Sequence, residues 1–316
     1  MFALAKKLKE GGVLGLNQRN AEYTLWHNPR QFFPLVDDKL TTKRLAEQAG
    51  IAVPPLYGVI EFERQIRQLH TLLQPYEDFV LKPAQGSGGD GIIVISGRRK
   101  DRYRHVNGQL IGQEELEHHV SNILSGLYSL GGHPDKMLIE YRVKFDPVFS
   151  AISFQGVPDI RIIVFLGVPV MAMVRLPTKM SDGKANLHQG AIGAGINLAS
   201  GRTLKGVWKN EIVTEHPDTE NPIQGVQIPT WDTLLNIAAR SYELTGLGYQ
   251  GVDLVLDQDK GPLVLELNAR PGLNIQIANQ AGLLPRLKKV EQWHPTLTTL
   301  EKRLEFAREH FGYLGA

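Results

Sequence analysis

GVDLVLDQDKGPLVLELNARPG, residues 251–272, is the stretch on which the fold of this chain turns. Two apolar runs, Gly251–Asp257 and Pro262–Asn268, read as strands, and the turn at Asp257 to Gly261 joins them as an antiparallel hairpin. Side chains alternate along a strand, so Glu266 and Asn268 share one face. A four-residue connection pairs Asp253 opposite Glu266 on that face. Two carboxylates and an amide oxygen are costly to bury unpaired among apolar residues, and they form the ligand set that hard divalent cations on nucleotide phosphates take. The competing reading is the solvent-facing polar side of a hairpin. Val255 and Val264, expected on the same face, weaken that reading and leave it open.

Working outward, DIRIIVFLG and PVMAMVRLP read as long neighbouring strands that carry Arg161 and Arg175. The loop Thr178 to Gly190 follows, with Lys184, Asn186 and His188. An arginine in a strand rich in Ile, Val and Met calls for an anionic partner. A bound anion and an ion pair with an acidic neighbour carry equal weight for each arginine taken alone. Together with Arg270, just past the acidic hairpin, they suit a site that holds several phosphate and carboxylate oxygens.

Further upstream, Lys82 ends the strand FVLKP, and the loop Gly86-Ser87-Gly88-Gly89-Asp90-Gly91 leads into a second strand, GIIVISG. Glycines let backbone N–H groups approach phosphate oxygens closely, and a lysine adds charge, so the segment reads as a phosphate clamp. It lacks the Lys-Ser/Thr ending of the P-loop and runs into a strand, which excludes the Walker and dinucleotide-helix readings. Standing alone, it would read as a glycine-rich hairpin turn.

Periodicity predicts helices over 41–49, 61–73, 114–130 and 231–244 and an amphipathic one over 296–311, a strand at MLIEYRV, and a β-ribbon around GINLASGRTLKGV that turns at Ser200 and Gly201. The chain is α+β, with a small α+β lid packed over a larger sheet-based lobe. Tyr23, Trp26, Phe32 and Phe33 are expected to bury the amino-terminal segment against the main body.

The 316 residues allow two or three lobes, and a hydrophobic fraction of 42% with 22% charged residues is ordinary for a globular chain. A net charge of +2 gives no ground for non-specific nucleic-acid binding. The run Arg98, Arg99, Lys100, Arg102, Arg104, His105 reads as solvated charge at a hairpin tip, and no nucleic-acid partner is expected. The absence of cysteine removes disulfides, thiolate metal sites and a cysteine nucleophile. His70, His118, His119, His133 and His216 show no metal-ligand spacing beside acids. Lys6, Lys7, Lys9 and Glu10 interrupt any signal core, and no run approaches the roughly 18 apolar residues of a membrane span, which predicts a cytoplasmic protein. Self-association stays open.

The three groups in this order resemble the ATP-grasp superfamily, nearest to the glutamate-ligase branch typified by RimK and to the related sugar-transfer-associated ATP-grasp proteins. The motifs are DDKLTTKRLAEQAGIAVP, VLKPAQGSGGDGIIV, MLIEYRV, PDIRIIVFLGVPVMAMVR, KANLHQGAIG, GVDLVLD and LVLELNARPG, covering Asp37 to Gly272. The resemblance implies an ATP-grasp fold divided into a reduced amino-terminal segment (1–38), a lid (39–143) and a core with the metal site (144–316). It implies that Lys39 and Lys82 contact ATP phosphates and that the loop of Gly86, Ser87, Gly88, Gly89 and Gly91 closes over them. Glu140, Tyr141, Arg142 and Val143 would form the hinge that reads adenine, with Asp146 on the ribose. Asp253, Glu266 and Asn268 would hold two Mg²⁺ or Mn²⁺ ions. Arg161 and Arg175 would lie near the γ-phosphate and acyl group, with Asn186 and Lys184 on the covering loop and Arg270 opposite.

Family members carry a full α/β domain before the DK motif, whereas only 38 residues precede Lys39 here. The stretch KFDPVFSAISFQGV is also longer than in the simplest glutamate ligases. The implied reaction is amide formation through an acylphosphate between a carboxylate and an amine, each a small molecule or peptide, with glutamate the default addition. Action on a cell-surface sugar or lipid precursor, and a nucleotide-binding regulatory protein without turnover, are the alternatives.

Overall fold

Residues 38–44 and 53–143 fold as one unit, and residues up to 37 join 45–52 and 144–316 in another. The computed structural model describes residues 2–86, 88–129 and 131–312. The amino-terminal stretch expected as a region of its own thus groups with the larger unit, together with 45–52.

The smaller unit is a six-stranded antiparallel sheet of β1 (Leu56–Ile60), β2 (Phe79–Pro83), β3 (Ile93–Arg99), β4 (Arg102–His105), β5 (Leu110–Ile111) and β6 (Met137–Glu140), in the order β1-β6-β2-β3-β4-β5. Helix α1 (Lys39–Gln48) begins in it, and α2 (Gln113–Leu124) contributes Leu116, Val120 and Ile123 to a core with Phe79, Leu81, Ile95 and Ile139. Helix α2 stops well short of residue 130 because Gly126 takes φ +85° and turns the chain out of the helix. The helix expected over 61–73 is a 3₁₀ segment, Glu63–Gln68, followed by one α turn, Leu69–Leu73. There the Gln65 side chain folds back onto the backbone N–H groups of Glu61 and Phe62. Of the predicted strand 137–143, only Met137–Glu140 pairs in the sheet.

The larger unit has a seven-stranded antiparallel sheet. Its strands are β7 (Asp159–Phe165), β8 (Val168–Leu176), β9 (Ile192–Ile196), β10 (Thr203–Trp208), β11 (Glu211–Val213), β12 (Tyr249–Asp257) and β13 (Gly261–Asn268), ordered β11-β10-β9-β8-β7-β12-β13. Helices α3 (Trp231–Thr245) and α6 (Leu300–Phe311) pack on it at β7 and β8, while the single turn α4 (Ile275–Ala278) lies on β8, β9 and β10; α5 (Leu284–Trp293) follows α4. Helix α6 starts later than periodicity predicts, where Thr299 caps it by accepting a bond from the Lys302 N–H at 3.3 Å.

The pairing of Asp253 with Glu266 is the expected one, reached by a different route. Asp257 pairs with Gly261, so the connection has three residues, and a bulge between Asp253 and Leu254 restores the register. Leu254 pairs with Val264, which leaves Leu265 as the extra residue. Val264 therefore does not share the face of Glu266 in the way simple alternation predicts, because the bulge reverses the alternation within β13.

The amino-terminal segment clamps this same hairpin. Asn28 Nδ2 donates to the carbonyls of Tyr249 and Ala269 at 2.6 and 2.9 Å, and its Oδ1 accepts the Tyr249 N–H at 2.8 Å. Arg19, buried, donates to the Pro271 carbonyl at 2.8 Å. Tyr23 is buried edge-on against Phe165, but Trp26 is 79% exposed and does not join the core as expected.

Candidate functional site

In the smaller unit, Lys82 lies buried in β2 and Glu140 in β6. Lys82 Nζ stands 2.6 Å from Glu140 Oε2, and Lys43 Nζ stands 3.1 Å from Oε1. Lys43 also donates to the Pro54 carbonyl. Two lysines thus share one carboxylate, whose Oε1 lies in ion-pair range of Lys43 without hydrogen-bond alignment. Glu140 offers its side chain here, a different part from the hinge backbone expected to read adenine. Tyr141 N–H donates to Pro55, and Arg142 pairs with Asp78 at 3.0 Å. Val143 closes the unit.

Lys39, at the start of α1, donates to the Gly86 carbonyl at 2.5 Å, which ties it to the root of the glycine-rich loop. Gly86 bridges to Ser129. Gly88, Gly89 and Gly91 take φ of +67°, +87° and +74°, backbone that L side chains rarely adopt. At Gly91 a Cβ would also meet the Tyr128 ring at 2.6 Å. Ser87 lies outside the described residues.

The larger unit gathers a second cluster on one face of its sheet. Arg161 Nε and Nη2 donate to Asp253 Oδ1 and Oδ2 at 2.7 and 2.5 Å. Arg175 grips Asp159 through Nε and Nη2, and its Nη2 also donates to Asp253 Oδ2 at 2.9 Å. Asn268 Nδ2 approaches Asp253 Oδ2 at 3.4 Å and Glu266 Oε1 at 3.3 Å. In β7 and β8, Arg161 and Arg175 are the positions at which otherwise buried strands are not wholly closed to solvent.

Burial pulls each of these groups toward its neutral form, and the partners decide the outcome. Burial would raise Asp253, but Arg161 and Arg175 outweigh it and hold its carboxyl far below the usual range. Burial also raises Asp159, and with one arginine against the nearby Asp253 charge it is pushed up to about 6. Burial alone would lower Arg175, yet Asp159 and Asp253 hold it above its ordinary value. The sequence left a bound anion and an internal ion pair open for these arginines; the geometry realises the ion pair for both.

The remaining candidates have other partners. Arg270 stacks on Phe33 at 5.1 Å and lies 3.9 Å from Asp37. Asn186 Oδ1 caps the turn Leu187–Gln189 by accepting from the His188 N–H at 3.0 Å. Asp146 similarly caps Pro147–Phe149, accepting from Val148 N–H at 2.9 Å. Lys184 is exposed, with its backbone bonded to Ser181.

Asp159 and Lys43 were missed in the sequence. A signal existed for each: Asp159 stands two residues before Arg161, hence on its face of the strand, and Lys43 lies one helical turn after Lys39.

The donor set fits a divalent cation. Two guanidinium groups against three carboxylates leave one negative charge over, and carboxylate and amide oxygens are the ligands that hard divalent cations take. The Asn268 amide already stands where Asp253 and Glu266 converge. Among the described residues no group of three or more His, Cys, Asp or Glu is placed to hold a metal, and the expected set counts two carboxylates and one amide.

The chain matches the sugar-transfer associated ATP-grasp family over residues 18–292, most of its length. It belongs to that family. This ATP-grasp chain thus matches the second of the two branches that its motifs resemble. No curated protein sequence matches it. Among solved structures it is similar to the ATP-grasp ligase PsnB complexed with minimal precursor, at 15% identity and a TM-score of 0.48, covering 83% of this chain and 61% of that one. It is also similar to the D-cycloserine synthetase DcsG, at 16% identity and 0.47, covering 85% and 73%. A third likeness is to D-alanine–D-alanine ligase from Bacillus anthracis complexed with ATP, at 15% and 0.44, covering 88% and 67%. The family member described here spans about three fifths of the PsnB chain. No helix among its described residues is long and apolar enough to cross a membrane.

Proposed function

We propose that this chain is an ATP- and Mg²⁺-dependent carboxylate–amine ligase that forms an amide through an acylphosphate. The observation that carries the reading is the cluster on the larger sheet: Asp253, Glu266 and Asn268 converge while Arg161 and Arg175 stand beside them. Phosphoryl transfer depends mainly on positioning and on cationic stabilisation of developing charge, and needs no protein nucleophile.

In this reading Lys39, Lys82 and the backbone N–H groups of the Gly86–Gly91 loop hold the phosphates, and Tyr141, Arg142 and Val143 flank the adenine. Asp253, Glu266 and Asn268 hold the cations, which supply Lewis-acid stabilisation of the transferred charge when bound. Asn268 would offer its amide oxygen to a bound ion in place of the amide hydrogens it now gives to Asp253 and Glu266. Arg175, fixed by Asp159, orients the substrate carboxylate, and Arg161 neutralises Asp253. Lys184, Asn186 and Arg270 serve as the outer polar groups of the site.

Steady ADP formation that requires both an added acid and an added amine, with the amide product weighed by mass spectrometry, tests the reading. ADP formation with no new amide overturns it. The family's description favours a second reading, in which the acid or amine is carried by a sugar or lipid precursor; the same assay separates the two when such conjugates are offered beside free amino acids.

A further inference from the structure

The first turns of α1 cover one side of the smaller sheet and bring a buried lysine, Lys43, to which the ligase reading gives no part. Side chains alternate along β2 and β6, so Leu81 and Ile139 enter the core with α2 while Lys82, Leu138 and Glu140 face the other way. Leu40 packs there with Ala84 and Leu138, which fixes α1 against that side. Lys43 follows Leu40 by three residues and lies on the same face of the helix, one turn further along.

Lys43, Lys82 and Glu140 are 4%, 8% and 2% exposed, so solvent screens their charges poorly. Lys43 Nζ stands 3.1 Å from Glu140 Oε1, and Lys82 Nζ stands 2.6 Å from Oε2. Among the described residues Glu140 is the only ion-pair partner of Lys82. Two ammonium groups against one carboxylate leave one positive charge over, in a place where an uncompensated charge is costly. One lysine would neutralise Glu140, so the balance of this trio gives no reason for a second. With Lys82 alone the pair would be neutral, and Lys82 would meet an incoming anion with its charge already offset. The excess lies beside the glycine-rich loop. Gly86 follows Lys82 by four residues, and Lys39, one turn before Lys43, donates to the Gly86 carbonyl at 2.5 Å.

We propose that Lys43 is a positioning residue for the nucleotide: it neutralises Glu140, so that the charge of Lys82 is left for the phosphates. The inference rests on the reading in which Lys82 holds ATP phosphates. Lys43 acts through Glu140, whose other oxygen sets the Lys82 ammonium in place. Its bond to the Pro54 carbonyl would serve a purely structural role, tying α1 to the chain before β1, and that role is indifferent to the charge of a ligand.

The test is calorimetric titration of ADP with Mg²⁺, and separately of adenosine, into the wild type, Lys43→Met and the double variant Lys43→Met/Glu140→Gln. Methionine keeps most of the lysine stem without its charge. The expected result is that Lys43→Met loses at least tenfold in ADP affinity while its adenosine affinity stays within twofold. Adding Glu140→Gln recovers most of the lost ADP affinity, because Lys82 again has no carboxylate charge beside it. A substitution that only disturbed packing would weaken both ligands together and gain nothing from the second change. ADP affinity within twofold of the wild type in Lys43→Met, equal losses of ADP and adenosine, or a double variant that binds adenosine normally and ADP no better than Lys43→Met overturns the proposal. A wild type that binds neither ligand overturns the nucleotide reading and the proposal with it, whereas wild-type ADP binding that Lys43→Met leaves unchanged overturns the proposal alone.

Discussion

Lys82 and Glu140 form a buried ion pair, Nζ to Oε2 at 2.6 Å, and Glu140 has Lys43 on its other oxygen. Removing one member of a buried charge group leaves the others uncompensated in a medium that solvates them poorly. Glu140→Ala leaves two lysines in that position and should cost about 3–5 kcal/mol of stability. Urea unfolding measures it. A loss below about 1 kcal/mol would show that water reaches these lysines freely.

Asp159 and Asp253 respond to pH in opposite senses. The Asp159 carboxyl is raised to about 6 in the folded protein, so its contribution is fully present below its unfolded pKa and is lost as pH rises through about 6. Asp253 is held low by its two arginines, and its contribution is present above the ordinary carboxylate range and lost only in strong acid. Asp159→Asn should therefore flatten a decline in stability between about pH 4 and 6 that amounts to roughly 3 kcal/mol in the wild type. Chemical denaturation across that window reads it, and an unchanged slope in the variant would refute the assignment.

Glu266→Gln and Asn268→Ala should each weaken Mn²⁺ binding in the presence of ADP by more than tenfold, because the first removes a carboxylate charge and the second a hard oxygen ligand. Electron paramagnetic resonance counts the free ion and gives the bound ion by difference. Equal Mn²⁺ occupancy in all three proteins would place the cations elsewhere.

Gly91→Ala strains the loop twice over, through φ +74° and through a 2.6 Å approach to Tyr128. The combined cost of about 1–3 kcal/mol should appear as weaker ATP binding with little change in the melting of the larger unit. Fluorescent nucleotide titration checks this, and wild-type affinity would show that the loop does not need its left-handed backbone to close.

Much of this architecture was legible because the signals were local. The apolar runs at 159–167, 169–177, 251–257 and 262–268 announced four neighbouring strands, whereas the pairing of Asp253 with Glu266, expected from a four-residue connection, is made by a three-residue turn and a bulge. What stayed hidden depended on distant partners. Nothing near Asn28 announces that its amide will bind Tyr249 and Ala269, more than two hundred residues away. Nor does Glu140, inside a strand pattern, reveal that two lysines from α1 and β2 will converge on it. The arginines showed the same limit: their strands demanded an anion, and only the fold named Asp159 and Asp253.

Asn28→Ala removes three bonds to the backbone that frames the acidic hairpin, and strands the Tyr249 N–H and two carbonyls. A loss of about 2–4 kcal/mol is expected, shared between unfolding and cation affinity. If thermal melting falls while Mn²⁺ binding holds, the clamp serves the fold alone.

The bulge at Leu265 makes the hairpin a counted device. Three residues in the turn and one surplus residue in β13 together set Glu266 against Asp253. An added residue leaves Glu266 opposite Asp253 only if the turn takes it up; a turn held to three residues passes it into the ladder and moves Glu266 out of line. Insertion scanning through 258–260 should therefore find the chain intolerant of single insertions at a surface turn, where length usually varies freely, and rescued by deletion of Leu265. Over evolutionary time the segment would behave as two coupled lengths, changing together or remaining still.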